Sequence, residues 1–299
     1  MRERVRVIYN PTAGKEAFKH SLADVLSILE EVGGMEASCH ATKQAGDATK
    51  AAIEAARDGF SYVVACGGDG TVHEVVNGLA QCKQRPILGI IPSGTTNDLA
   101  RALGIPFHIQ QAAKIVARRN TMPLDLGLIG ANRYFVNIAA CGRLAEITYD
   151  VPSKLKTILG QLAYYMKGLE RLPGLRPIHL HVQAGDVVYD GKAMLCLITN
   201  SRSVGGFEHL APNALVHDGL LDVLIVKPTN LGDMIRIVSS ALRGEHTKDE
   251  RVMYFHSSDI SLSSNEEVDL NIDGEFGGKL PQHVSVMPQH LSVIVMEKK

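Results

Sequence analysis

The apolar positions along the chain fall into two regimes. Up to about residue 128, short continuous apolar runs alternate with stretches of helical period. Val5-Arg6-Val7-Ile8-Tyr9 reads as a strand, and Leu22, Val25, Leu26, Ile28 and Leu29 then recur at helical spacing. Residues 36–41 form a second strand candidate and 47–57 an Ala-rich helix. Tyr62-Val63-Val64-Ala65-Cys66 is apolar throughout, as in a strand covered on both faces. A Gly-rich turn, a helical stretch at 72–80 and a second buried strand at 87–91 follow. Strands alternating with helices predict a parallel sheet joined by right-handed crossovers.

Beyond residue 128 the period shortens. Alternating or β-branched runs occur at 134–139, 178–182, 194–199, 221–226, 252–255, 268–272 and 291–295. Turn dipeptides separate several of them: Gly185-Asp186, Asp190-Gly191, Asp218-Gly219 and Asp273-Gly274. That pattern predicts an antiparallel β-rich sandwich or barrel, with helices at 155–169 and 235–242. The expected division is an α/β domain over 1–128 and a β-rich domain over 129–299. Whether the last strand, 291–295, returns to the first domain is left open.

Composition narrows the class. A chain of 299 residues is about twice a usual domain, which fits two domains. With 45% apolar and 21% charged residues it can bury a core. Lys and Arg number 31 against 32 Asp and Glu, a formal charge of -1. Phosphate neutralisation along nucleic acid needs clustered excess cations, so no nucleic-acid partner is expected. No apolar run approaches the roughly eighteen residues of a membrane span. The start, MRERVRVIYN, goes directly into a strand pattern, so no signal peptide is expected. Five scattered cysteines without a CxxC pair argue against a disulfide framework or thiolate zinc, and fit a reducing cytoplasm. The histidines are read as offering neither HxH nor HExxH spacing, so no zinc chemistry is expected.

Candidate chemistry begins at Cys66-Gly67-Gly68-Asp69-Gly70-Thr71, between a buried strand and a helix. Glycines let the backbone turn and offer bare N–H groups, and the helix end adds partial positive charge, so the loop favours phosphate. It is neither GxxxxGK[ST] nor GxGxxG. Asp69 beside phosphate implies a divalent cation between them or a proton to handle; a capping Asp in a tight turn is the alternative. Pro92-Ser93-Gly94-Thr95-Thr96-Asn97-Asp98 is built the same way, with Asn97 or Asp98 also able to cap. Asn10-Pro11-Thr12-Ala13-Gly14-Lys15 follows the first strand. Ligands of open parallel sheets bind beyond the carboxyl ends of the strands. Three such loops together point to a polyphosphate site.

Two carboxylate turns lie in the second domain. In Asn271-Ile272-Asp273-Gly274-Glu275, residues two apart on an extended chain share a face, so Asp273 and Glu275 could address one site. Asp-Gly as a hairpin turn is the competing reading. Leu215-Val216-His217-Asp218-Gly219-Leu220 leads into the strand at 221–226.

These motifs carry a resemblance. NPTAGK, GGDGTVHEVVNGL (67–79) and SGTTNDLAR (93–101) resemble the catalytic-domain signature of diacylglycerol and sphingoid lipid kinases. The segment 134–168, with PSKLKTILGQLAYYMKG, is similar more narrowly to the soluble diacylglycerol kinases of Gram-positive bacteria. The similarity covers essentially the whole chain. It implies a phosphofructokinase/NAD kinase-like α/β nucleotide-binding domain, a β-rich sandwich for the lipid, and transfer of the ATP γ-phosphate to a lipid hydroxyl with Mg²⁺. By motif, Asn10, Pro11, Thr12, Ala13, Gly14, Thr42, Gly67, Gly68, Asp69, Gly70, Thr71, Val72, His73 and Thr95 would line the nucleotide. Asp69, Asp98 and Asp125 would organise the catalytic magnesium and its waters. Leu215 and Leu220 carbonyls with the Asp218 side chain would hold a structural Mg²⁺. Glu275 would be the proton acceptor, with Asp273 orienting it or assisting the metal and Asp69 the other candidate base.

Residues 152–176 carry Lys154, Lys156, Lys167, Arg171 and Arg176 against one acid, Glu170, with Ile158, Leu159, Leu162, Met166 and Leu169 at helical spacing. Such a helix either lies on an anionic bilayer or packs on its own domain. The expectation is a cytoplasmic enzyme that visits the membrane transiently to meet diacylglycerol or a related lipid. The resemblance admits a homodimer. A sphingoid-base kinase, an NAD kinase-like enzyme and a non-catalytic nucleotide-binding module are the alternatives.

Overall fold

The computed structural model of the protein describes residues 2–142 and 176–297. The helix expected at 155–169 and all of the basic strip except Arg176 lie outside the described residues. Two compact units divide the chain. Unit 1 is Met1–Leu126 with Pro288–Lys299, and unit 2 is Gly127–Met287.

Unit 1 contains β1 (Arg4–Tyr9), α1 (Ala17–Ser27), β2 (Glu36–Ala41), α2 (Asp47–Arg57), β3 (Tyr62–Gly67), α3 (Asp69–Ala80), β4 (Ile87–Pro92), α4 (Asp98–Ala102) and α5 (Ile109–Arg118). Strand β5 (Thr121–Ile129) leads from it into unit 2. The sheet order β2-β1-β3-β4 is parallel throughout. Helix α2 packs on α3 and α1 on α5, and every residue of β3 is buried, as expected of a strand with both faces covered. The stretch forming α5 is absent from the sequence reading, although Ala112, Ile115 and Val116 carry helical spacing and are buried.

Unit 2 contains β6 (Arg133–Phe135), β7 (Ile138–Cys141), β8 (Ile178–Ala184), β9 (Val187–Ala193), β10 (Leu195–Thr199), β11 (Leu221–Val226), α6 (Leu231–Ala241), β12 (Val252–Ser257), β13 (Asp259–Ser264), β14 (Asp269–Ile272) and β15 (Glu275–Lys279). Strand β16 (Gln282–Ile294) pairs antiparallel with β13 at its start. At its end, Val293 pairs in parallel with Leu88 of β4. The last strand therefore returns to the first unit, which answers the question its pattern left open.

Two antiparallel sheets build unit 2. One runs β16-β13-β8-β9 and the other β12-β11-β10-β7-β14-β15. Leu180, Val182, Ile260, Leu262 and Val284 of the first share a buried core with Cys141, Ile198, Val223, Leu270 and Ile272 of the second. The far face of the six-stranded sheet is covered by Met234 and Ile237 of α6. The continuous run expected at 134–139 is two strands broken at Val136-Asn137. The cause is a carboxylate, described below, that takes the backbone N–H groups at the break.

Candidate active site

The three glycine-containing loops of unit 1 leave the carboxyl ends of β1, β3 and β4 and approach one another. Backbone bonds extend the sheet into them: Asn10 N–H donates to Cys66 O at 3.0 Å, and Ser93 N–H to Gly67 O at 2.9 Å. A Cβ on Gly94 would stand 2.4 Å from Gly68 Cα, and one on Gly14 (φ +56°) would stand 2.0 Å from Ser93 O. Real Cβ contacts are never so short, so only glycine lets these loops meet. In the first loop the Asn10 side-chain oxygen accepts from Thr12 N at 3.0 Å and Thr12 Oγ1 at 2.9 Å, an Asx turn. Thr42, after β2, ties in through its N–H to Tyr9 O at 2.9 Å.

The GGDGT segment is less a loop than a helix start. Helix α3 begins at Asp69, with Gly68 extended at the N-cap. The Thr71 and Val72 N–H groups bond Gly68 O, and both side chains are buried. His73 packs against Asn77 one turn on, with a ring nitrogen 3.3 Å from Asn77 Nδ2. Thr95 is exposed in the β4–α4 loop.

Asp69 is held across the site. Its Oδ2 accepts the Asn97 N–H at 2.9 Å and its Oδ1 the Asp98 N–H at 2.7 Å. A carboxylate has about four acceptor positions, so two backbone bonds fix its orientation without exhausting it. Asp98 is buried. Asp125, fully buried on β5, accepts the Gln289 N–H at 2.6 Å from the returning β16. The Ser93 Oγ and Asn97 Oδ1 oxygens are buried without a hydrogen-bond partner.

Among the described residues no three His, Cys, Asp or Glu side chains converge tightly enough to hold a metal unaided. Magnesium retains waters and needs only one or two carboxylates beside substrate phosphates. An all-oxygen set of Asp69 and Asp98 with two orphaned neutral oxygens fits that demand. The expectation of no HxH spacing is corrected by His179-Leu180-His181 on β8, whose two imidazoles lie 3.5 and 3.8 Å from Asp190 on a solvated face of unit 2.

A residue that the motifs do not single out braces the start of α2 beside these loops. Glu74, on α3, accepts the Gly46 N–H at 2.9 Å and the Ala48 N–H at 3.0 Å, while its carbonyl takes the Thr49 hydroxyl at 2.9 Å. It caps α2 from a neighbouring helix and fixes the stretch that begins at Thr42.

In unit 2, Asp273 and Gly274 form the two-residue turn between β14 and β15, with φ of +49° and +95°. Positive φ at both positions is the primed-turn geometry of tight hairpins. The extended reading, with Asp273 and Glu275 two apart on one strand, is corrected accordingly: Asp273 is in the turn and Glu275 begins β15. The Asp273 carboxylate accepts three backbone bonds: Val136 N–H at 2.8 Å, Asn137 N–H at 3.0 Å and Ile138 N–H at 2.9 Å. These bonds divide the 134–139 run into β6 and β7. Beneath them lies a buried polar group absent from the motif reading. Asn200 Nδ2 donates to Val136 O at 3.2 Å, and Ser201 Oγ to Asn137 Oδ1 at 3.2 Å. Glu275 is exposed.

The 215–220 turn lies before β11. Asp218 Oδ1 accepts the Leu220 N–H at 3.0 Å, and Leu215 and Leu220 are exposed. Asp222 is buried between the Tyr254 hydroxyl and His256 Nε2, the latter 3.1 Å away. Burial pushes its carboxyl above the usual range, opposed by the tyrosine and histidine bonds.

Comparison with known proteins adds the remaining link. The diacylglycerol kinase catalytic domain family matches residues 4–129, and the YegS C-terminal NAD kinase beta sandwich-like domain matches 142–295. The chain is 50% identical over 298 residues to the diacylglycerol kinase of Bacillus subtilis (strain 168), spanning 99% of this chain and 98% of that one. It is 44% identical over 293 residues to the diacylglycerol kinase of Staphylococcus saprophyticus, spanning 98% and 95%. The crystal structure of a diacylglycerol kinase from Bacillus anthracis str. Sterne matches with a TM-score of 0.84 at 28% identity, over 98% of this chain and 97% of that one. No helix among the described residues is long and apolar enough to cross a membrane. With both units matched and the likeness running nearly end to end, the chain belongs to the diacylglycerol kinase family.

Proposed function

We propose that the chain transfers the γ-phosphate of ATP to the free hydroxyl of diacylglycerol, giving phosphatidic acid. The observation that carries this reading is the convergence of the three unit 1 loops with Asp69 tied to the SGTTND backbone. Glycine-rich turns, a helix N-terminus and the exposed Thr12 and Thr95 at the carboxyl ends of parallel strands suit a polyphosphate. The nucleotide lies along Asn10, Pro11, Thr12, Ala13 and Gly14, Thr42, Gly67 to His73, and Thr95. Phosphoryl transfer depends chiefly on alignment and charge neutralisation. Asp69, Asp98 and Asp125 orient magnesium directly or through water. When bound, that ion supplies charge neutralisation at the phosphates. Asp218, with the Leu215 and Leu220 carbonyls, holds a second, structural ion; this all-oxygen set is of the kind magnesium takes.

Glu275, on unit 2, accepts the hydroxyl proton as the oxygen attacks phosphorus. Its exposure at the start of a strand, one residue after a rigid turn, suits a base that must reach an incoming substrate. Asp273 positions that turn through its three backbone bonds and is a positioning residue. The enzyme works at the membrane surface, where its acceptor resides. The test is ATP turnover with mixed micelles of diacylglycerol, a sphingoid base or NAD. Turnover with diacylglycerol is expected; phosphorylation of NAD alone, or no turnover, would overturn the reading.

A further inference from the structure

The four-stranded sheet of unit 2 turns one face to the core that the two sheets share. Leu180 and Val182 of β8, Ile260 and Leu262 of β13 and Val284 of β16 are buried there. Side chains alternate along a strand, so the residues between them lie on the outer face. On β8 these are His179, His181 and Gln183. Register sets Asp190 of β9 directly opposite His181, and Lys192 opposite His179.

Asp190 is shared by both imidazoles. His179 Nε2 is 3.5 Å from its Oδ1, and His181 Nδ1 is 3.8 Å from its Oδ2. The three side chains are 42%, 46% and 60% exposed in the order His179, His181, Asp190. A solvated carboxylate gains little from one exposed ion pair and less from a second. Two imidazoles and a carboxylate with room for water are, by contrast, the donor set of open zinc sites. Zinc binds such nitrogen and oxygen atoms at about 2.0–2.2 Å, so adjoining donors of a tetrahedral ion stand about 3.4 Å apart. The observed separations lie within a few tenths of an ångström of that spacing. Without an ion the donors do not form a ready-made cage, and side chains this exposed close the difference by rotation.

The neighbouring charges leave Asp190 to these two histidines. His283, on the same face, is engaged by Asp259 at 3.0 Å and lies 3.4 Å from Ser261 Oγ. Lys192 is exposed, and its flexible stem lets the ammonium stand in water, where its repulsion of a cation is screened.

We infer that His179, His181 and Asp190 form a surface site for a divalent transition metal of the zinc type, with water completing the coordination. Magnesium takes oxygen ligands, so this site differs in chemistry from those proposed for phosphoryl transfer, and it shares no residue with them. A bound ion ties β9, the edge strand of its sheet, to β8. An edge held in this way is less free to open and pair with another chain.

The test is calorimetric titration of the full chain with Zn²⁺, after chelation and with Mg²⁺ in excess to fill oxygen sites. It should show a binding step that His179→Gln, His181→Gln and Asp190→Asn each weaken about tenfold or more, since loss of an outer-shell partner alone costs that much. His283→Gln is the control, an exposed histidine of the same face with its own carboxylate, and should bind zinc as the parent does. Zn²⁺ should raise the Tm of the parent and the control but not that of His181→Gln. All four variants should match the parent's Tm without zinc, which separates loss of the site from loss of the fold. Absence of a zinc step in the parent, undiminished affinity in the three site variants, or equal weakening in His283→Gln would each overturn the inference.

Discussion

Asp69 in unit 1 and Asp273 in unit 2 invite comparison, because both are carboxylates held by the backbone of another loop. Asp69 accepts two N–H groups from residues 28 and 29 further along the chain. Asp273 accepts three, from residues 135 to 137 earlier. Asp69 sits at a helix start among phosphate-type loops, so the same group both ties the loops together and stands beside the expected chemistry. In unit 2 the proposed mechanism separates these tasks: Asp273 holds the turn, and Glu275, two residues on, is exposed and would take the proton. On that proposal one unit places structure and chemistry in one carboxylate, and the other divides them between two.

Substitutions can break that contrast. The largest effect is expected from Asp69→Asn, which leaves only one acceptor oxygen for two backbone donors and removes the charge. Its kcat should fall on the order of 10²–10³, as when one preorganised electrostatic group is removed, and its Tm should fall as well. Glu275→Gln should lower kcat on the order of 10²–10⁴, the usual contribution of a general base, with a smaller fall in Tm than Asp69→Asn. Asp273→Asn should show the reverse balance. Stability should fall by about 1.5–3 kcal/mol, the scale of hydrogen bonds to a charged group, with a smaller loss of kcat from a loosened turn. Denaturant unfolding and steady-state kinetics on the three variants decide the matter. If Asp273→Asn remains as stable as the parent while losing activity as severely as Glu275→Gln, the division of labour is wrong and Asp273 takes part in the chemistry.

The contrast also explains what could be read from the sequence. The unit 1 loops are contiguous motifs set directly after apolar strands, so their place at one sheet edge followed from alternating strands and helices. The hairpin around Asp273 could be read as a turn, but its partners at 136–138 are more than a hundred residues away. No local pattern announces that Val136-Asn137 leaves the strand ladder to satisfy a distant carboxylate. The 134–139 run has the composition of one strand and becomes two for that reason. The polar group of Asn137, Asn200 and Ser201 is equally silent, because buried amides and hydroxyls are recognisable only once their partners are known. The returning end of β16 was visible as a strand, while its parallel pairing with β4 depended on tertiary structure.

Glu74 offers the finest test, since its carboxylate braces backbone without being a proposed catalytic group. It lies within the GGDGTVHEVVNGL run, yet its carboxylate caps α2 at Gly46 and Ala48. In Glu74→Gln one oxygen becomes an NH₂ group and can no longer accept, leaving one of the two N–H groups without its partner. Because α2 follows the stretch beginning at Thr42, the loss should appear on the nucleotide side, as a rise of about three- to tenfold in KM for ATP. That range corresponds to the net worth of one ordinary hydrogen bond, about 0.5–1.5 kcal/mol. Neither KM for diacylglycerol nor kcat should move by a comparable factor, and Glu74→Asp should recover less than the parent because the shorter side chain reaches only part of the cap. Equal changes in both KM values would mean that the bond between α2 and α3 stabilises the unit as a whole. A selective change for ATP makes Glu74 a third backbone-holding carboxylate, one whose influence on chemistry passes entirely through the loop it holds.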